Sequence, residues 1–314
     1  MNAKKANWTF LAIILFNAAA MVILAIFAGK IKLSMIPALL VSQGIVLVPV
    51  LLSLIVTRTR LKGFIPCKKI KFTSVLMIIA VTYLSMPLIS VTNLISMLFV
   101  ENEANNLMAG FEGISPFLLV LIVGILGPMN EEFIFRGVLY HGYRQSGRII
   151  GAVVLSSVLF GMMHLNFNQM AYAIVVGIIG VLLIECTGSI FASMIFHATI
   201  NTTSMLAAFA QGAIGKDSAD IQNATEAMSN LTYKETLCIG ISVYMVIALI
   251  ATALAGCLIY VIARNEKRTA HMEALGEICK IKKKEKLFSV PLWIAMGLCM
   301  AYMILSEVMT HMAG

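Results

Sequence analysis

The sequence contains few charged residues. Asp, Glu, Lys and Arg make up 12% of its 314 residues, whereas hydrophobic residues make up 60%. Soluble domains are about 25% charged and about 45–50% apolar. A soluble core of this size cannot hide so much apolar surface, so the composition excludes an ordinary soluble protein. Lipid is the solvent that this composition predicts.

The sequence also lacks cysteine pairs and any basic face interleaved with aromatic residues. None of its six cysteines forms a CxxC pair, and most lie in apolar runs, where cysteine behaves as a small hydrophobic residue. This argues against a disulfide framework and a cysteine-built metal site. The net charge of +8 lies in loops beside apolar runs. We therefore predict no nucleic acid partner and expect the lipid bilayer to be a partner.

Long apolar runs dominate the chain. A spanning helix needs about 20 mostly apolar residues, and the sequence offers eight or nine candidates. The runs lie at about 8–29, 33–57, 73–100, 116–140, 149–165, 170–185, 189–212, 236–263 and 288–311. The fifth and sixth runs are short. The predicted fold is all-α, a polytopic transmembrane helical bundle with eight or nine spans.

The basic residues predict an orientation in the membrane. The strongly basic loops are residues 58–72, 141–148 and 264–287. If the N-terminus is inside and nine spans alternate, these loops share one side, and the acidic loop 101–115 and the mixed loop 211–235 share the other. Cytoplasmic loops carry an excess of Lys and Arg, so the basic side is predicted to be cytoplasmic. Only Lys30 and Lys32 depart from this pattern.

One helix carries an unusual group of ionisable residues. A charge at the centre of a spanning helix costs about 2.5 kcal/mol or more, so such residues mark candidate functional sites. In GPMNEEFIFRGVLY, Glu132 and Arg136 are spaced i,i+4, which predicts an ion pair. Glu131 is rotated by about 100°, lacks an obvious partner and suits general-base chemistry. The alternative is a helix that ends at Asn130 with both glutamates solvated, but the apolar continuation argues against it.

Two further apolar runs carry histidine motifs. Phe160 and His164 lie in LFGMMH, and His197 and Asn201 lie in FHATIN. A lone histidine in an apolar helix is more often packed than catalytic. However, His197 and Asn201 share a helix face, and both donate hydrogen bonds, as an oxyanion requires. At about 1.5 Å per residue, these motifs and Glu131 reach similar depths, so together they suit amide hydrolysis.

The three motifs resemble those of a known family. EEFIFRG, FGMMH and HATIN follow the order EExxxR, FxxxH and HxxxN. From Pro116 to about Leu206, the sequence resembles the CAAX-protease and bacteriocin-processing family. These Abi-type intramembrane glutamic endopeptidases include the type II CAAX prenyl endopeptidases. The resemblance implies a catalytic core at 116–210, between N-terminal transmembrane helices (1–115) and an outer loop with C-terminal transmembrane helices (211–314).

The resemblance also implies residue roles and a location. Glu131 would activate water with His164 as its partner, and His197 and Asn201 would form an oxyanion hole. The residues implied to shape the site are Glu132, Arg136 and Phe160. The family's cavity opens toward the cytoplasm, in agreement with the charge-based orientation, and we predict the plasma membrane as the location. The expected substrate is a membrane-associated peptide or protein, such as a prenylated CAAX-like protein, a bacteriocin or a signalling peptide.

Several alternatives stay open at this point. Glu131, His164 and His197 are also the residue types that bind zinc, but no HExxH motif is present, and the metal-free hypothesis gives Asn201 a role. We therefore expect no required cofactor and keep zinc as the alternative. A transporter is a second possibility, although no repeated halves, typical of transporters, are found. A non-catalytic immunity or scaffold protein is a third.

Two ionisable residues outside the motifs carry simpler expectations. Glu185 lies near the end of an apolar run, and His271 lies in a basic loop. We expect Glu185 to be interfacial and His271 to be solvated.

Overall fold

A computed structural model describes residues 1–27, 34–100, 111, 114–214, 232–281 and 285–313. These residues form ten helices and no β-sheet. The helices are α1 (Ala3–Ile26), α2 (Met35–Val56), α3 (Phe72–Ser96), α4 (Pro116–Arg144), α5 (Ile149–Met163), α6 (Phe167–Thr187), α7 (Ile190–Ile214), α8 (Tyr233–Asn265), α9 (Thr269–Ile281) and α10 (Val290–Ala313). The predicted all-α class is confirmed.

The helix lengths agree with the prediction of eight or nine spans. Within the described ranges, eight helices are long and apolar enough to cross a membrane. Helix α5 is also apolar, but its 15 residues extend only about 22 Å, less than the hydrocarbon thickness of about 30 Å. The protein is therefore an integral, multi-pass membrane protein.

Two details differ from the sequence-based expectation. The run predicted as short at 170–185 forms the 21-residue helix α6. The basic segment 264–287, predicted as a loop, contains helix α9, which mixes apolar and charged residues over its 13 positions. That helix is too short and too polar to span. Other predictions lie outside the described residues: Lys30, Lys32, the acidic residues Glu101, Glu103 and Glu112, and most of the loop 211–235.

The central helices pack closely where small residues face each other. Helices α5 and α6 are antiparallel neighbours. A Cβ atom added at Gly161 would lie 2.8 Å from the Met170 carbonyl oxygen, and one added at Gly177 would lie 2.6 Å from the Ser157 Cβ. Around this pair, α7 contacts α3, α4 and α6, while α8 lies along α3 and α1 packs against α2 and α10. The motif-bearing helices thus form the centre of the bundle.

The basic segments gather at one end of the bundle. The Lys71 backbone N–H donates to Glu266 Oε1 at 3.0 Å, which joins the segment before α3 to the segment after α8. The Arg148 Nε donates to the Glu285 carbonyl oxygen at 3.0 Å, which brings in the segment between α4 and α5. The prediction that these loops share one side is confirmed. We call this side the basic end.

Helix α4 changes its hydrogen-bond register on both sides of the two glutamates. Val120–Leu126 and Phe133–Tyr140 are π-helical, and Gly127–Glu132 between them is α-helical. Pro128 has no backbone N–H, so it interrupts the ladder at this point. Stretches of π-helix occur frequently at functional sites. The periodicity of the sequence did not predict these π-helical stretches.

Candidate active site

The two neighbouring glutamates of α4 occupy different surroundings. The Glu132 side chain is 1% exposed, and its Oε1 lies 3.0 Å from Arg136 Nη1 and 2.9 Å from His197 Nδ1. The predicted ion pair is thus confirmed. The Glu131 side chain is 29% exposed. Among the described residues, the basic side chain that it contacts is that of His197, whose Nε2 lies 3.8 Å from Glu131 Oε2. Glu132 is therefore paired with an arginine, whereas Glu131 forms no ion pair with Lys or Arg among the described residues.

A glycine leaves space for the buried ion pair of Glu132 and Arg136, and an aromatic ring packs against the arginine. A Cβ atom added at Gly180 of α6 would lie 3.5 Å from Arg136 Nε and 3.7 Å from Glu132 Oε2. The Arg136 guanidinium lies 4.0 Å above the centre of the Phe160 ring. A cation over an aromatic face is stabilised by the ring quadrupole. These contacts stabilise an arginine that is 1% exposed and whose Nη1 and Nη2 form no hydrogen bond within the described residues.

The Phe160 ring also contacts both motif histidines. Its centroid lies 4.9 Å from that of His164 and 5.6 Å from that of His197, in both cases edge to face. The ring therefore fixes the orientation of the two imidazoles relative to Arg136. The resemblance implied that Phe160 packs beside the site, and the geometry agrees.

Hydrogen bonds define which nitrogen of each histidine faces the site. The His164 Nδ1 lies 2.9 Å from the Phe160 carbonyl oxygen, and the His197 Nδ1 lies 2.9 Å from Glu132 Oε1. A carbonyl or an ion-paired carboxylate can only accept, so each Nδ1 carries a proton and donates. The second nitrogen, Nε2, is left to interact with the site in both residues.

Asn201 is positioned by the irregular register of α4. The Gly127 N–H donates to the Ile122 carbonyl, five residues earlier. In the same register, the Val123 carbonyl would pair with residue 128, which is a proline without an N–H. The Asn201 Nδ2 donates to this Val123 carbonyl at 3.3 Å. The break at Pro128 therefore provides the acceptor that holds Asn201 against α4.

The four predicted catalytic residues line one cavity. The cavity has a volume of about 530 Å³ and is lined by Glu131, His164, His197 and Asn201, together with apolar side chains of α2, α3, α6 and α7. A second cavity of about 200 Å³ also contains Glu131 and His164. The side chains of Glu131 and His164 therefore lie between the two cavities. Helix α4, the end of α5, and α7 contribute these residues.

The contacts of His197 differ from the sequence-based assignment. The family resemblance implied that His164 is the partner of Glu131 and that His197 belongs to an oxyanion hole. In the structure, His197 lies between Glu131 and Glu132, while His164 shares both cavities with Glu131. His197 is thus able to influence the carboxylate as well as an oxyanion. The sequence did not predict the contact between Glu132 and His197, because the two residues are 65 positions apart in the chain.

Several polar residues at the cavity were not singled out from the sequence. The cavity is also lined by Gln43, Asn93, Gln169 and Tyr172. The Gln43 Oε1 accepts a hydrogen bond from Asn130 Nδ2 at 3.0 Å, which ties α2 to the residue before Glu131. Each of these residues is a polar position in or beside an apolar run, and this was the available signal. Nothing in their spacing linked them to the three motifs.

The cavity lies in the half of the bundle away from the basic end. Its lining includes Asn93 near the end of α3, Gln169 near the start of α6 and Ser204 in the second half of α7. The other end of α7, at Ile190, contacts the basic segment through Pro66. The sequence predicts that the cavity opens on the same side as the basic loops. The structure does not reproduce that arrangement, because helix direction places the two features at opposite ends.

Glu185 and His271 are also placed differently from the expectation. Glu185 is buried, and its carboxylate accepts hydrogen bonds from Tyr140 at 2.7 Å and from Arg144 Nε at 2.8 Å. His271 Nε2 lies 2.7 Å from the same carboxylate. Neither residue is simply interfacial or solvated, because α9 folds back over the ends of α4 and α6. This network belongs to the basic end.

The zinc alternative does not fit the arrangement of these side chains. In the part of the chain that the structure describes, no group of three His, Cys, Asp or Glu residues lies close enough together to hold a metal ion. A site built by Glu131, His164 and His197 would require these side chains to move.

Comparisons with known proteins agree with the predicted resemblance. Residues 113–203 match the family model described as type II CAAX prenyl endopeptidase Rce1-like. The chain is also 28% identical over 104 residues to a protein of Bacillus subtilis (strain 168) named "Putative membrane peptidase YdiL". That alignment covers 33% of this chain and 43% of the relative. No solved structure matches.

These matches confirm the predicted family resemblance over the segment that carries the three motifs. They cover the core from the start of α4 to the middle of α7. The class that emerges is a multi-pass helical membrane protein whose core is similar to the CAAX-type membrane peptidases. The chain spans less than half the length of the curated relative it matches.

Proposed function

We propose that this protein is an intramembrane endopeptidase in which Glu131 activates the attacking water. The observation that carries this proposal is the contrast between two adjacent glutamates. Glu132 is paired with Arg136, whereas Glu131 forms no ion pair with Lys or Arg among the described residues and faces the cavity that also contains His164, His197 and Asn201. A free carboxylate beside two imidazoles in an apolar cavity suits general-base catalysis.

The proposed hydrolysis requires one water molecule and no covalent intermediate. Glu131 accepts a proton from water, with the His164 Nε2 helping to orient that water. The resulting hydroxide attacks the carbonyl carbon of the scissile amide. When the tetrahedral intermediate collapses, Glu131 returns the proton to the leaving nitrogen, and the C–N bond breaks. The products are a carboxylic acid and an amine, and Glu131 is regenerated as a carboxylate.

His197 and Asn201 are proposed to stabilise the oxyanion. Since His197 Nδ1 donates to Glu132, its Nε2 can donate to the oxyanion only in the imidazolium form, in which both ring nitrogens carry a proton. One N–H of the Asn201 amide is held by Val123, and an amide carries a second. Two donors near a developing negative charge lower the barrier substantially.

The proposed substrate is a membrane-associated peptide or protein. The cavity of about 530 Å³ falls in the range of about 300–1,000 Å³ that is usual for ligand pockets. Its apolar walls and few polar groups suit an extended peptide with hydrophobic side chains. Prenylated CAAX-like proteins, bacteriocins and signalling peptides all belong to this class.

Cleavage by purified protein tests this proposal. The full chain in lipid vesicles is incubated with a library of fluorogenic hydrophobic peptides, and initial rates are measured. We expect Glu131→Gln to lower kcat by about 10²- to 10⁴-fold, with the thermal unfolding midpoint preserved. Glu277→Gln, at an exposed position on α9, serves as the control and should cleave normally. Retained cleavage by Glu131→Gln would reject the assigned base and leave the transporter or scaffold alternatives.

The membrane orientation is a separate proposal. Cytoplasmic loops are rich in Lys and Arg, so the basic end is proposed to face the cytoplasm at the plasma membrane. The cavity then lies in the outer half of the bundle. Single cysteines replacing Lys69 and Ser204, in a background without native cysteines, test this with a membrane-impermeant maleimide on intact cells. Labelling of position 69 but not 204 would reverse the orientation and support the cytoplasmic cavity that the family resemblance implies.

A further inference from the structure

A larger cavity lies at the basic end, away from the proposed catalytic residues. Its volume is about 1010 Å³, and its walls come from the segment before α3, the end of α4, the turn between α6 and α7, and the start of α9. Backbone hydrogen bonds hold this frame together. The Ile190 N–H donates to the Pro66 carbonyl at 2.8 Å, and the Lys68 N–H donates to the Gly188 carbonyl at 3.3 Å. The cavity is therefore a built feature of the fold.

The cavity carries an excess of positive charge. Four cationic side chains line it: Lys62, Lys68, Arg144 and Arg268. Glu185 is the one carboxylate in the same lining, and it is already bonded to Tyr140, Arg144 and His271. The remaining cations are not neutralised by it.

Arg268 is held in place without an acidic partner. Its Nε donates to the Glu185 backbone carbonyl at 3.2 Å. Its guanidinium carbon would lie 3.4 Å from a Cβ atom added at Gly188, so the glycine lets the guanidinium lie against the turn. Among the residues that the structure describes, neither Arg268 nor Lys62 forms an ion pair with a carboxylate. Two cations in one cavity are thus available to a ligand.

Much of the remaining lining is apolar, and part of it lies on the surface of the bundle. The cavity is bordered by Phe64, Phe133, Ile184, Phe191 and Met194. Phe191 is 47% exposed on the bundle surface. A ligand with an anionic group at the basic end and hydrocarbon beside Phe191 would satisfy both parts of this lining. Basic pockets at helix ends are a recurrent form of phospholipid headgroup site.

We propose that this cavity binds the phosphate of an anionic membrane phospholipid, with Arg268 and Lys62 as its ligands. Arginine offers paired N–H groups that match phosphate oxygens, and lysine offers a point charge. The acyl chains would lie along the apolar side near Phe191. This site is separate from the proposed peptidase site, and its test does not require cleavage.

Lipid binding to the full chain tests the proposal by native mass spectrometry. Protein in a neutral detergent is titrated with short-chain phosphatidylglycerol, with phosphatidylcholine and with inorganic phosphate. We expect phosphatidylglycerol to bind more tightly than phosphatidylcholine. Lys62→Gln and Arg268→Gln should each weaken that binding by about fivefold. Lys69→Gln, a neighbouring exposed lysine that does not line the cavity, is the matched control and should bind as the native chain does.

The outcomes separate the sources of the phosphate. If inorganic phosphate displaces phosphatidylglycerol at millimolar concentration, the cavity recognises phosphate itself. If it does not, the whole lipid is recognised. Equal binding of the two lipids, or unchanged binding in both Lys62→Gln and Arg268→Gln, would overturn the proposal. Because the Lys62 side chain is exposed, its substitution keeps the test valid even if Arg268→Gln disturbs the fold.

Discussion

Two glutamates in different halves of the bundle, Glu185 of α6 and Glu131 of α4, show how differently the same residue type behaves in one protein. At the basic end, Glu185 accepts hydrogen bonds from Tyr140 and Arg144 and contacts His271. In the other half, Glu131 faces a cavity with His197 at 3.8 Å. A saturated carboxylate stabilises the fold, whereas an unsaturated one is available for chemistry. The comparison predicts that substitutions at one end affect stability and at the other end affect catalysis.

Arg136 should give the largest effect on stability, since it neutralises a glutamate inside the bundle. Removing one partner of a buried ion pair costs about 3–5 kcal/mol, because the other charge is left uncompensated. We expect Arg136→Met to lower the free energy of unfolding by that amount and to abolish cleavage. Denaturant unfolding of the purified chain measures it, and Arg264→Met, at an exposed position, is the control.

A double substitution distinguishes charge from packing at the same place. If the cost arises from an unpaired Glu132, then Glu132→Gln combined with Arg136→Met should recover a substantial part of the lost stability. No recovery would mean that Arg136 acts mainly through its stacking on Phe160.

Asn201 should affect catalysis without affecting stability. Loss of one oxyanion donor lowers kcat by about 10²- to 10³-fold. We expect Asn201→Ala to show that loss with KM little changed, because the interaction is made only in the transition state. Thr199→Ala provides the control, since the Thr199 hydroxyl bonds only the Ile195 carbonyl within α7 among the described residues. A rise in KM with unchanged kcat would show that Asn201 binds substrate instead.

Glu185 should show the opposite pattern, with a smaller effect. Glu185→Gln leaves Arg144 without its charged partner, and we expect a loss of about 1–3 kcal/mol in the free energy of unfolding. The cleavage rate per folded molecule should stay unchanged. Glu273→Gln, at an exposed position on α9, is the comparison. Lost cleavage at native stability would mean that the basic end takes part in the reaction, and the contrast between the two ends would fail.

Removal of metal ions should have the smallest effect on the rate of peptide cleavage. On the metal-free hypothesis, dialysis against a chelator leaves the initial rate of peptide cleavage unchanged. A loss of activity that zinc restores would instead favour Glu131, His164 and His197 as zinc ligands that come together on metal binding. The same titration with Glu131→Gln would show whether that residue contributes to the affinity for zinc.

Much of the fold followed from simple features of the sequence. The apolar runs predicted nearly every helix, because lipid requires long apolar segments whose backbone groups are satisfied internally. The i,i+4 spacing predicted the ion pair of Glu132 and Arg136. Helix α9 and the full length of α6 were not predicted, since mixed composition hides short amphipathic helices and helix ends.

What the sequence determined by itself was local: the membrane environment, the helices, and three motifs whose polar residues are costly in lipid. Only the tertiary structure decided which residues meet across helices. It placed His197 between Glu131 and Glu132 and gave Asn201 an acceptor at Val123. It also put the cavity and the basic end at opposite ends of the bundle. The reason is that helix direction and packing, which no spacing within one helix encodes, set contacts between residues far apart in the chain.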